Sequence, residues 1–350
     1  MQAVERFCRE RIDVERLAAW ERERRGIDDE CWDEIAALGW FGLGLPESAG
    51  GSGLGLTEVA CLLHECSRGL LPRSAIGAIH GGWALSRLDP TAPELGDVAS
   101  GKRTVTVAVD EEDCREPAGY ATRVEGTASA GRVTGSKWFV ANGEDADLHI
   151  VAAREGADVV LVLVARQATS TTPLRTFDGE RQAIVRYESS PIVRRLSRAG
   201  EGKAALERLR REATALALAE MVGGMKAVLD LTVAYVKERE QFGQKIAVFQ
   251  AVQHQVADMG ISHTASRHLA WQAITRLQAG TEQGSELATA AAFVGPSFKR
   301  LTFAGHHLHG GAGYVVEHPM HYYAERAQAL CIRYAPEAAA LAEVAHALLD

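Results

Sequence analysis

The spacing of apolar residues changes twice along the chain, and this limits the possible folds more than any other feature. Residues 1–100 carry apolar side chains at helical intervals, for example at Trp32 and Ile35. Residues 101–195 alternate apolar and polar side chains between Gly-containing turns, and residues 196–350 return to helical spacing. We therefore predict an α+β fold with an N-terminal helical domain, a middle antiparallel β domain and a C-terminal bundle of about four helices.

Composition excludes several classes of protein. The 350 residues include 38 Lys plus Arg and 46 Asp plus Glu, and the net charge of −8 disfavours a general nucleic-acid-binding role. We predict no membrane span, because no apolar run is long enough to cross a bilayer. The six cysteines are scattered without a CxxC pair, and the first residues lack the apolar segment of a signal peptide. These features favour reduced thiols, a cytoplasmic location and no metal site.

The stretch 235–259 contains a helix end, a turn and the start of another helix. Residues 241–244 interrupt the helical spacing, and Gly243 can adopt a positive φ. Arg239 and Phe242 lie on this turn, where a guanidinium and an aromatic ring suit an anionic, partly aromatic ligand. An isolated match of this kind would more often be a solvated arginine beside a core phenylalanine.

The residues of this turn nevertheless carry a resemblance. Arg-x-Gln-Phe-Gly at 239–243, followed by Phe249 and Gln250, closely resembles the acyl-CoA dehydrogenase family, in which this turn reaches across a subunit interface to the pyrophosphate of FAD. The resemblance implies FAD as cofactor and an acyl-CoA or acyl-carrier thioester as substrate. It also implies a homo- or hetero-oligomer with a related subunit, expected as a dimer of dimers. The cofactor contacts implied at this turn are Arg239, Gln241, Phe242, Phe249 and Gln250.

A second segment, His-His-Leu-His-Gly-Gly-Ala-Gly-Tyr at 306–314, admits two interpretations. Its three histidines suggest a metal, but no cysteine or carboxylate stands at matching spacing. Alternatively, Gly310 and Gly311 let the backbone approach a nucleotide closely. This is the role of the Gly-Gly-x-Gly segment in the family, whose Gln aligns with His307 and implies a phosphate or adenine contact there.

A third segment, Lys-Trp-Phe-Val-Ala-Asn-Gly at 137–143, resembles the family strand Lys-x-x-Ile-Thr-Asn-Gly that lies behind the flavin ring. The resemblance implies flavin contacts at Phe139 and at Ala141, which lacks the hydroxyl of the usual threonine. Plain strand core explains Phe139 equally well. Residues 109–117 stand where the family has Thr-Glu-Pro-x-Ala-Gly-Ser-Asp, a loop that touches the flavin and the thioester.

The Gly-rich link 42–55 precedes a helix for which Thr57 is the expected N-cap. Such a loop can bind phosphate, but here it follows no strand and carries no P-loop lysine. Because the segment resembles the N-terminal helical domain of the family, we interpret these glycines as structural.

The reaction implied by the resemblance is α,β-dehydrogenation of a thioester. A carboxylate removes the α-proton while the β-hydrogen leaves as hydride to flavin N5. Counting from Pro319, the usual glutamate falls on Tyr334, and the alternative position used by some members falls on Ala213. A phenol with an unperturbed pKa of about 10 is a poor base at neutral pH. Neither position therefore supplies the expected base.

Two other carboxylates are possible substitutes. Glu220 lies on the apolar stripe of its helix, seven residues after Ala213, where a carboxylate is costly unless it is paired, protonated or facing a cleft. Glu220 is thus either a displaced base or, more often in such a position, an internal hydrogen-bonding residue. Glu337 is a weaker alternative, because a carboxylate at a helix start is usually exposed.

Three functional interpretations follow. The first is an FAD-dependent acyl-thioester dehydrogenase with a displaced base. The second is a subunit of a heteromeric acyl-CoA dehydrogenase whose sister subunit carries the glutamate, as the resemblance to actinobacterial members that act on steroid side chains implies. The third is a protein of the same fold with a structural or non-oxidative role. The missing base favours the second slightly over the first.

Overall fold

A computed structural model describes residues 2–21, 26–114, 116–126, 131–198, 200–282 and 285–349. The chain divides into two compact units. The helical unit comprises Met1–Ala18, Gly55–Leu71 and Glu212–Asp350, and the β unit comprises Ala19–Leu54 and Pro72–Arg211. Within the described residues, no helix is both long and apolar enough to span a bilayer.

The helices precede and follow the strands in the chain, as the change of hydrophobic period predicts. The N-terminal helices are α1 (Gln2–Arg11), α2 (Val14–Trp20), α3 (Asp29–Ala37), α4 (Leu56–Arg68), α5 (Arg73–Leu88) and α6 (Leu95–Ala99). The C-terminal helices are α7 (Gly202–Glu238), α8 (Gln250–Ala279), α9 (Glu286–His309), α10 (Met320–Tyr334) and α11 (Glu337–Leu349).

Seven strands form one sheet in the β unit. They are β1 (Val105–Ala108), β2 (Arg123–Glu125), β3 (Arg132–Ala141), β4 (Leu148–Glu155), β5 (Asp158–Ala165), β6 (Thr169–Leu174) and β7 (Gln182–Arg195). The sheet closes on itself, because the order β4-β2-β3-β7-β5 returns to β4 through the β4–β5 pairing. Most pairings are antiparallel as predicted, but β1 and β2 each pair with β4 in parallel.

The closed sheet has an apolar core on each face. Ile150 and Leu161 pack into a cluster that includes Leu85 of α5 and Leu206 of α7. Alternate residues of the same strands, such as Val151, join the opposite cluster with side chains from β3 and β7. Strands buried on both faces read as nearly continuous apolar runs, which is the pattern at 158–165.

Close helix contacts define the helical unit. A Cβ at Gly223 of α7 would lie 2.0 Å from the carbonyl oxygen of His64, so only glycine allows α4 to approach α7 this closely. In the same unit, Arg326 of α10 donates to the carbonyl oxygens of Leu70 and Leu71 at 3.3 and 2.9 Å. These contacts join the segments after α4 to the C-terminal helices.

The three-part α+β layout predicted from the sequence is confirmed. One local prediction was wrong, because Thr57 does not cap α4. The helix begins at Leu56 after Gly55, and the side-chain oxygen of Gln278 accepts a hydrogen bond of 2.6 Å from the Thr57 amide. The side chain of Gln278, which is distant in the sequence, thus accepts a helix-start amide hydrogen bond of the kind that a local N-cap usually accepts. The boundaries at 100 and 195 stay predictions, and the compact units divide the chain differently.

Candidate cofactor site and empty base positions

The turn after α7 is a β-hairpin. It joins two-residue strands, β8 (Glu240–Gln241) and β9 (Gln244–Lys245), through Phe242 and Gly243. Both loop residues have positive φ, 56° and 78°, as a tight two-residue hairpin turn requires. The positive φ predicted for Gly243 is therefore present. Phe242 also has a positive φ, which costs energy for a residue with a Cβ. Such strained backbone conformations are common at functional sites.

The hairpin presents its side chains to solvent in the isolated chain. Phe242 is 91% exposed, and Arg239 and Gln241 are exposed as well. The ring of half-buried Phe249 lies 6.1 Å from that of Phe242, edge to face, and exposed Gln250 begins α8. The helical unit thus brings five predicted cofactor residues together on one protruding element. The exposed ring of Phe242 at the tip is available for contact with another molecule.

The Gly-rich segment begins where α9 ends. Gly310 has φ 56° and ψ −140°, a conformation essentially restricted to glycine. A Cβ at Gly310 or Gly311 would meet no described atom within 4 Å, so the backbone there faces open space. His307 is exposed beside it. The segment therefore leaves room for a group to approach the main chain directly.

Tyr235 connects the hairpin to this segment. Its phenol oxygen donates to the carbonyl oxygen of His309 at 3.2 Å, and the two rings stack with centroids 4.3 Å apart. Tyr235 lies in the last turn of α7, just before the hairpin, and His309 directly precedes Gly310. The two segments singled out by the sequence are thereby fixed side by side.

Two histidines of the segment, His306 and His309, pack internally. His306 stacks on Tyr314 at 4.7 Å, and His309 shares a 2.8 Å hydrogen bond with the carbonyl oxygen of Gly305. Burial lowers the pKa of both imidazoles, which favours their neutral form. The described residues contain no group of three or more His, Cys, Asp or Glu side chains arranged to hold a metal ion.

The remaining predicted cofactor residues belong to the β unit. Phe139 lies at a bulge of β3, where the register with β7 shifts between Lys137 and Val140. Its φ is 55° and its side chain is 46% exposed, so Phe139 is not plain strand core. Ala141 is half-buried, and its carbonyl oxygen accepts a 2.5 Å hydrogen bond from Thr106.

Comparison with known proteins identifies the family. The chain is 30% identical over 302 residues to the acyl-CoA dehydrogenase FadE28 of Mycobacterium tuberculosis, with 84% of this chain and 85% of that protein covered. The chain belongs to the acyl-CoA dehydrogenase family. The family profile described as "Acyl-CoA dehydrogenase, N-terminal domain" matches residues 1–88, and "Acyl-CoA dehydrogenase, C-terminal domain" matches residues 200–345. The protein is therefore an acyl-CoA dehydrogenase-type flavoprotein enzyme.

Two solved structures resemble the fold throughout. One, the "Tcur3481-Tcur3483 steroid ACAD G363A variant", has a TM-score of 0.90 and 28% identity, and the match covers 99% of this chain and 95% of that chain. The other is the ChsE4-ChsE5 complex from Mycobacterium tuberculosis, with a TM-score of 0.89 and 25% identity, covering 100% of this chain and 96% of that chain.

The residues present fit the FAD that acyl-CoA dehydrogenases bind. The guanidinium of Arg239 and the amide of Gln241 are donors suited to a pyrophosphate. The open backbone at Gly310 and Gly311 suits close approach of a nucleotide, and Phe139 offers an exposed ring to a flat aromatic group.

The two positions aligned with the family base are neighbours in the helical unit. The hydroxyl of Thr214 donates to the carbonyl oxygen of Tyr334 at 3.3 Å, so Ala213 lies next to the end of α10. Both Ala213 and Tyr334 are half-buried. Two positions found separately by counting along the sequence therefore belong to neighbouring segments, and neither residue carries a carboxylate.

Glu220 lies deeper in the same helix. Its side chain is fully buried, and its negative charge contributes, after burial itself, to raising the pKa of the Cys66 thiol on α4. Glu220 therefore lies within the packed contact of α4 with α7. Glu337 is exposed at the first residue of α11, as its alternative interpretation predicts.

Sequence reasoning missed a buried polar network in the β unit. The network joins β3 to α7 through the loop that precedes β2. Lys137 of β3 contacts Glu111 and Tyr120 of this loop, and Tyr120 contacts Arg210 of α7. The sequence motif at 137–143 draws attention to Phe139 and Ala141 rather than to its lysine. The available signal was a lysine within a strand, together with a loop of four consecutive acidic residues at 110–113.

Proposed function

We propose that this chain is the cofactor-binding, base-lacking subunit of a heteromeric FAD-dependent acyl-CoA dehydrogenase. A related subunit would supply the carboxylate that removes the α-proton. The observation that carries the proposal is the convergence of Ala213 and Tyr334 at one location without a carboxylate on either residue. An alanine methyl carries no base, and an ordinary phenol is a poor one at neutral pH.

The relatives support a two-chain assembly. Two solved structures of high similarity are each named for two proteins, Tcur3481-Tcur3483 and ChsE4-ChsE5. We infer the same kind of partner for this chain, assembled as a dimer of heterodimers. The exposed ring of Phe242 at the hairpin tip is consistent with burial against such a partner.

The residues of this chain would hold and orient the cofactor. When bound, FAD would accept the β-hydrogen of the substrate as a hydride. Across the subunit interface, Arg239 and Gln241 would neutralise and orient the pyrophosphate of FAD, and Gly310 and Gly311 would let its nucleotide approach the main chain. Phe139 would lie against the flavin ring. No atom of this set can remove the α-proton, because none is a free base near neutral pH.

The substrate class to test first is a CoA thioester of a steroid side chain. This choice rests on the similarity to Tcur3481-Tcur3483, which is named a steroid ACAD. Residues 109–117 differ from the loop with which other family members touch the thioester. A straight-chain acyl-CoA of medium length is the appropriate comparison substrate, and a carrier-protein thioester is the second.

Glu220 defines the competing proposal, an enzyme that is complete within one chain. The glutamate is fully buried on the same helix as Ala213, and a buried carboxylate can have the raised pKa of a general base. The Glu220→Gln variant should abolish turnover with flavin still bound if Glu220 is the base. If turnover persists, Glu220 has only a packing role.

A visible spectrum of the purified protein separates these proposals. The chain is prepared alone and together with a co-encoded homologue, and each preparation is titrated with acyl-CoA. Flavin colour or bleaching that requires the second chain supports the heteromeric subunit. Full dehydrogenation by a homo-oligomer of this chain would contradict it, and absence of flavin from both preparations would favour a structural or non-oxidative role.

A further inference from the structure

Lys137 is a fully buried lysine whose contacts come from a single loop. Its Nζ donates to the carbonyl oxygen of Val109 at 3.1 Å and to Glu111 Oε1 at 2.9 Å. The same atom lies 3.6 Å from the ring centroid of Tyr120, a cation–π distance. A buried ammonium is unstable unless such partners compensate for its lost hydration. The loop 109–122 supplies these partners from both of its ends.

Glu111 closes the loop on itself. Its two carboxylate oxygens accept hydrogen bonds from the amides of Ala121 and Thr122 at 2.7 and 3.0 Å. Burial alone would raise the pKa of Glu111, but the bonds from Ala121 and Lys137 outweigh it, and the pKa lies below its ordinary value. The carboxylate therefore stays charged opposite the ammonium, and this one residue joins the start of the loop to its end.

Tyr120 and Arg210 extend the network to α7. Tyr120 is buried, and its phenol oxygen accepts a 3.0 Å hydrogen bond from the guanidinium of Arg210. Arg210 also pairs with Asp110 at 3.4 Å. The loop is thus held from one side by the lysine of β3 and from the other by the arginine of α7.

The next residues of β3 are tied to the same loop. The amide of Trp138 donates to the carbonyl oxygen of Asp110 at 2.9 Å. Phe139 follows at positive φ in the bulge, with a half-exposed side chain. The position of Phe139 therefore depends on the same contacts that hold Lys137 in place.

We propose that Lys137 is a positioning residue that fixes both the 109–122 loop and the bulge carrying Phe139. The role of these two segments rests on the proposed function, in which Phe139 lies against the flavin and residues 109–117 stand in place of the family loop that touches the thioester. Lys137 itself is fully buried and acts through Glu111 and Tyr120. In this chain the acidic loop 109–122, held by the buried ammonium of Lys137, replaces the loop with which the family touches the flavin and the thioester.

The test compares three variants of the full-length chain. Lys137→Met removes the cation and keeps the length of the side chain. Glu111→Gln keeps the shape of the carboxylate but removes its charge. Arg195→Met is the control, because it also removes a paired cation from the sheet, and Arg195 pairs with Glu155 of β4 rather than with the described partners of Lys137.

Hydrogen exchange followed by mass spectrometry reports on the loop without any cofactor. The amides of Ala121 and Thr122 should exchange about tenfold faster or more in Lys137→Met and Glu111→Gln, as expected for losing hydrogen bonds to a charged group. The amides of β5 should be unchanged, and Arg195→Met should leave the amides of Ala121 and Thr122 protected. Equal acceleration in Arg195→Met, or unchanged exchange in Glu111→Gln, would overturn the proposal. If Lys137→Met does not fold, Glu111→Gln decides alone.

A second measurement tests whether Lys137 also affects the environment of the flavin. In the flavin-loaded complex with the partner subunit, Lys137→Met should shift the flavin absorption band and raise KM for the thioester more than it lowers kcat. A loosened loop with an unchanged flavin band would show that Lys137 is merely structural. A wild-type protein that binds no flavin would contradict the proposed function, and the exchange experiment would still decide the role of Lys137.

Discussion

The phenol of Tyr235 stacks on the imidazole of His309, with ring centroids 4.3 Å apart, and donates to its main-chain carbonyl at 3.2 Å. Arg239 follows four residues after the tyrosine, and Gly310 follows directly after the histidine. The contact between Tyr235 and His309 therefore fixes the donor side chains of the hairpin next to the open backbone of the Gly-rich segment.

Tyr235→Phe removes the hydrogen bond and keeps the stacking. We expect FAD to bind about fivefold more weakly, the equivalent of roughly 1 kcal/mol for one neutral hydrogen bond. Equilibrium dialysis or quenching of flavin fluorescence measures the affinity.

The control for this variant is Tyr323→Phe, in which a buried phenol likewise loses a 2.6 Å hydrogen bond, here to the carbonyl oxygen of Arg68. We expect this control to lower the melting temperature without changing the affinity for FAD. Equal loss of affinity in both variants would mean that the Tyr235 bond contributes only general stability.

The sequence predicted the secondary structure that depends on residues close together in the chain. The helix, β and helix order follows from hydrophobic spacing, and a turn near Gly243 was predicted from the break in that spacing, whereas its pairing into the hairpin at 240–245 was not. Phe242 was not predicted to have a positive φ. That conformation arises because β8 and β9 pair directly and leave only two residues for the turn.

Features that depend on distant partners were not predictable in this way. The cap of α4 comes from Gln278, 221 residues beyond Thr57. The parallel pairing of β1 with β4 is equally non-local. Lys137 would be expected in solvent from its residue type, and it is buried only because Glu111 and Tyr120 of a separate loop surround its ammonium.

Two helical glycines should respond oppositely to alanine. At Gly223 the added Cβ would lie 2.0 Å from the main-chain oxygen of His64, so Gly223→Ala should destabilise the protein by roughly 1–3 kcal/mol. At Gly260 of α8 no described atom lies within 4 Å of that position, so Gly260→Ala should stabilise the isolated chain by up to about 1 kcal/mol. Urea unfolding of both variants measures the two effects. A Gly223→Ala variant as stable as the wild type would contradict the close contact of α4 with α7.

Stability should fall in mild acid through His149. This buried imidazole shares a 3.2 Å hydrogen bond with the hydroxyl of Tyr187, and burial lowers its pKa from 6.5 to about 4. Between these pH values the unfolded chain binds a proton that the native chain does not. The contribution of His149 to stability is therefore complete above pH 6.5 and is lost as the pH falls through about 4.

Replacing His149 with Gln removes this titrating group. We expect the free energy of unfolding of His149→Gln to depend less on pH between 6.5 and 4 than that of the wild type, even if the variant is less stable at neutral pH. Denaturant unfolding at several pH values in this range measures both curves. Parallel curves for the two proteins would show that His149 does not titrate differently on folding.

Restoring a carboxylate at the empty base position should create activity in the chain alone. In Tyr334→Glu the new side chain would project from the end of α10, and the hydrogen bond from Thr214 would be kept because it ends on the main-chain carbonyl of residue 334. A positioned general base contributes about 10² to 10⁴-fold to such reactions. We expect flavin bleaching by acyl-CoA at least about a hundredfold faster than in the wild-type chain without its partner.

The matched control is Tyr334→Gln, which has the same length as the glutamate but cannot accept the proton. It should remain as slow as the wild type, and Ala213→Glu offers an independent route because Ala213 lies beside the same location. Glutamate variants that bind flavin without gaining activity would show that Ala213 and Tyr334 do not face the substrate. If the wild-type chain is already fully active alone, Glu220 becomes the candidate base.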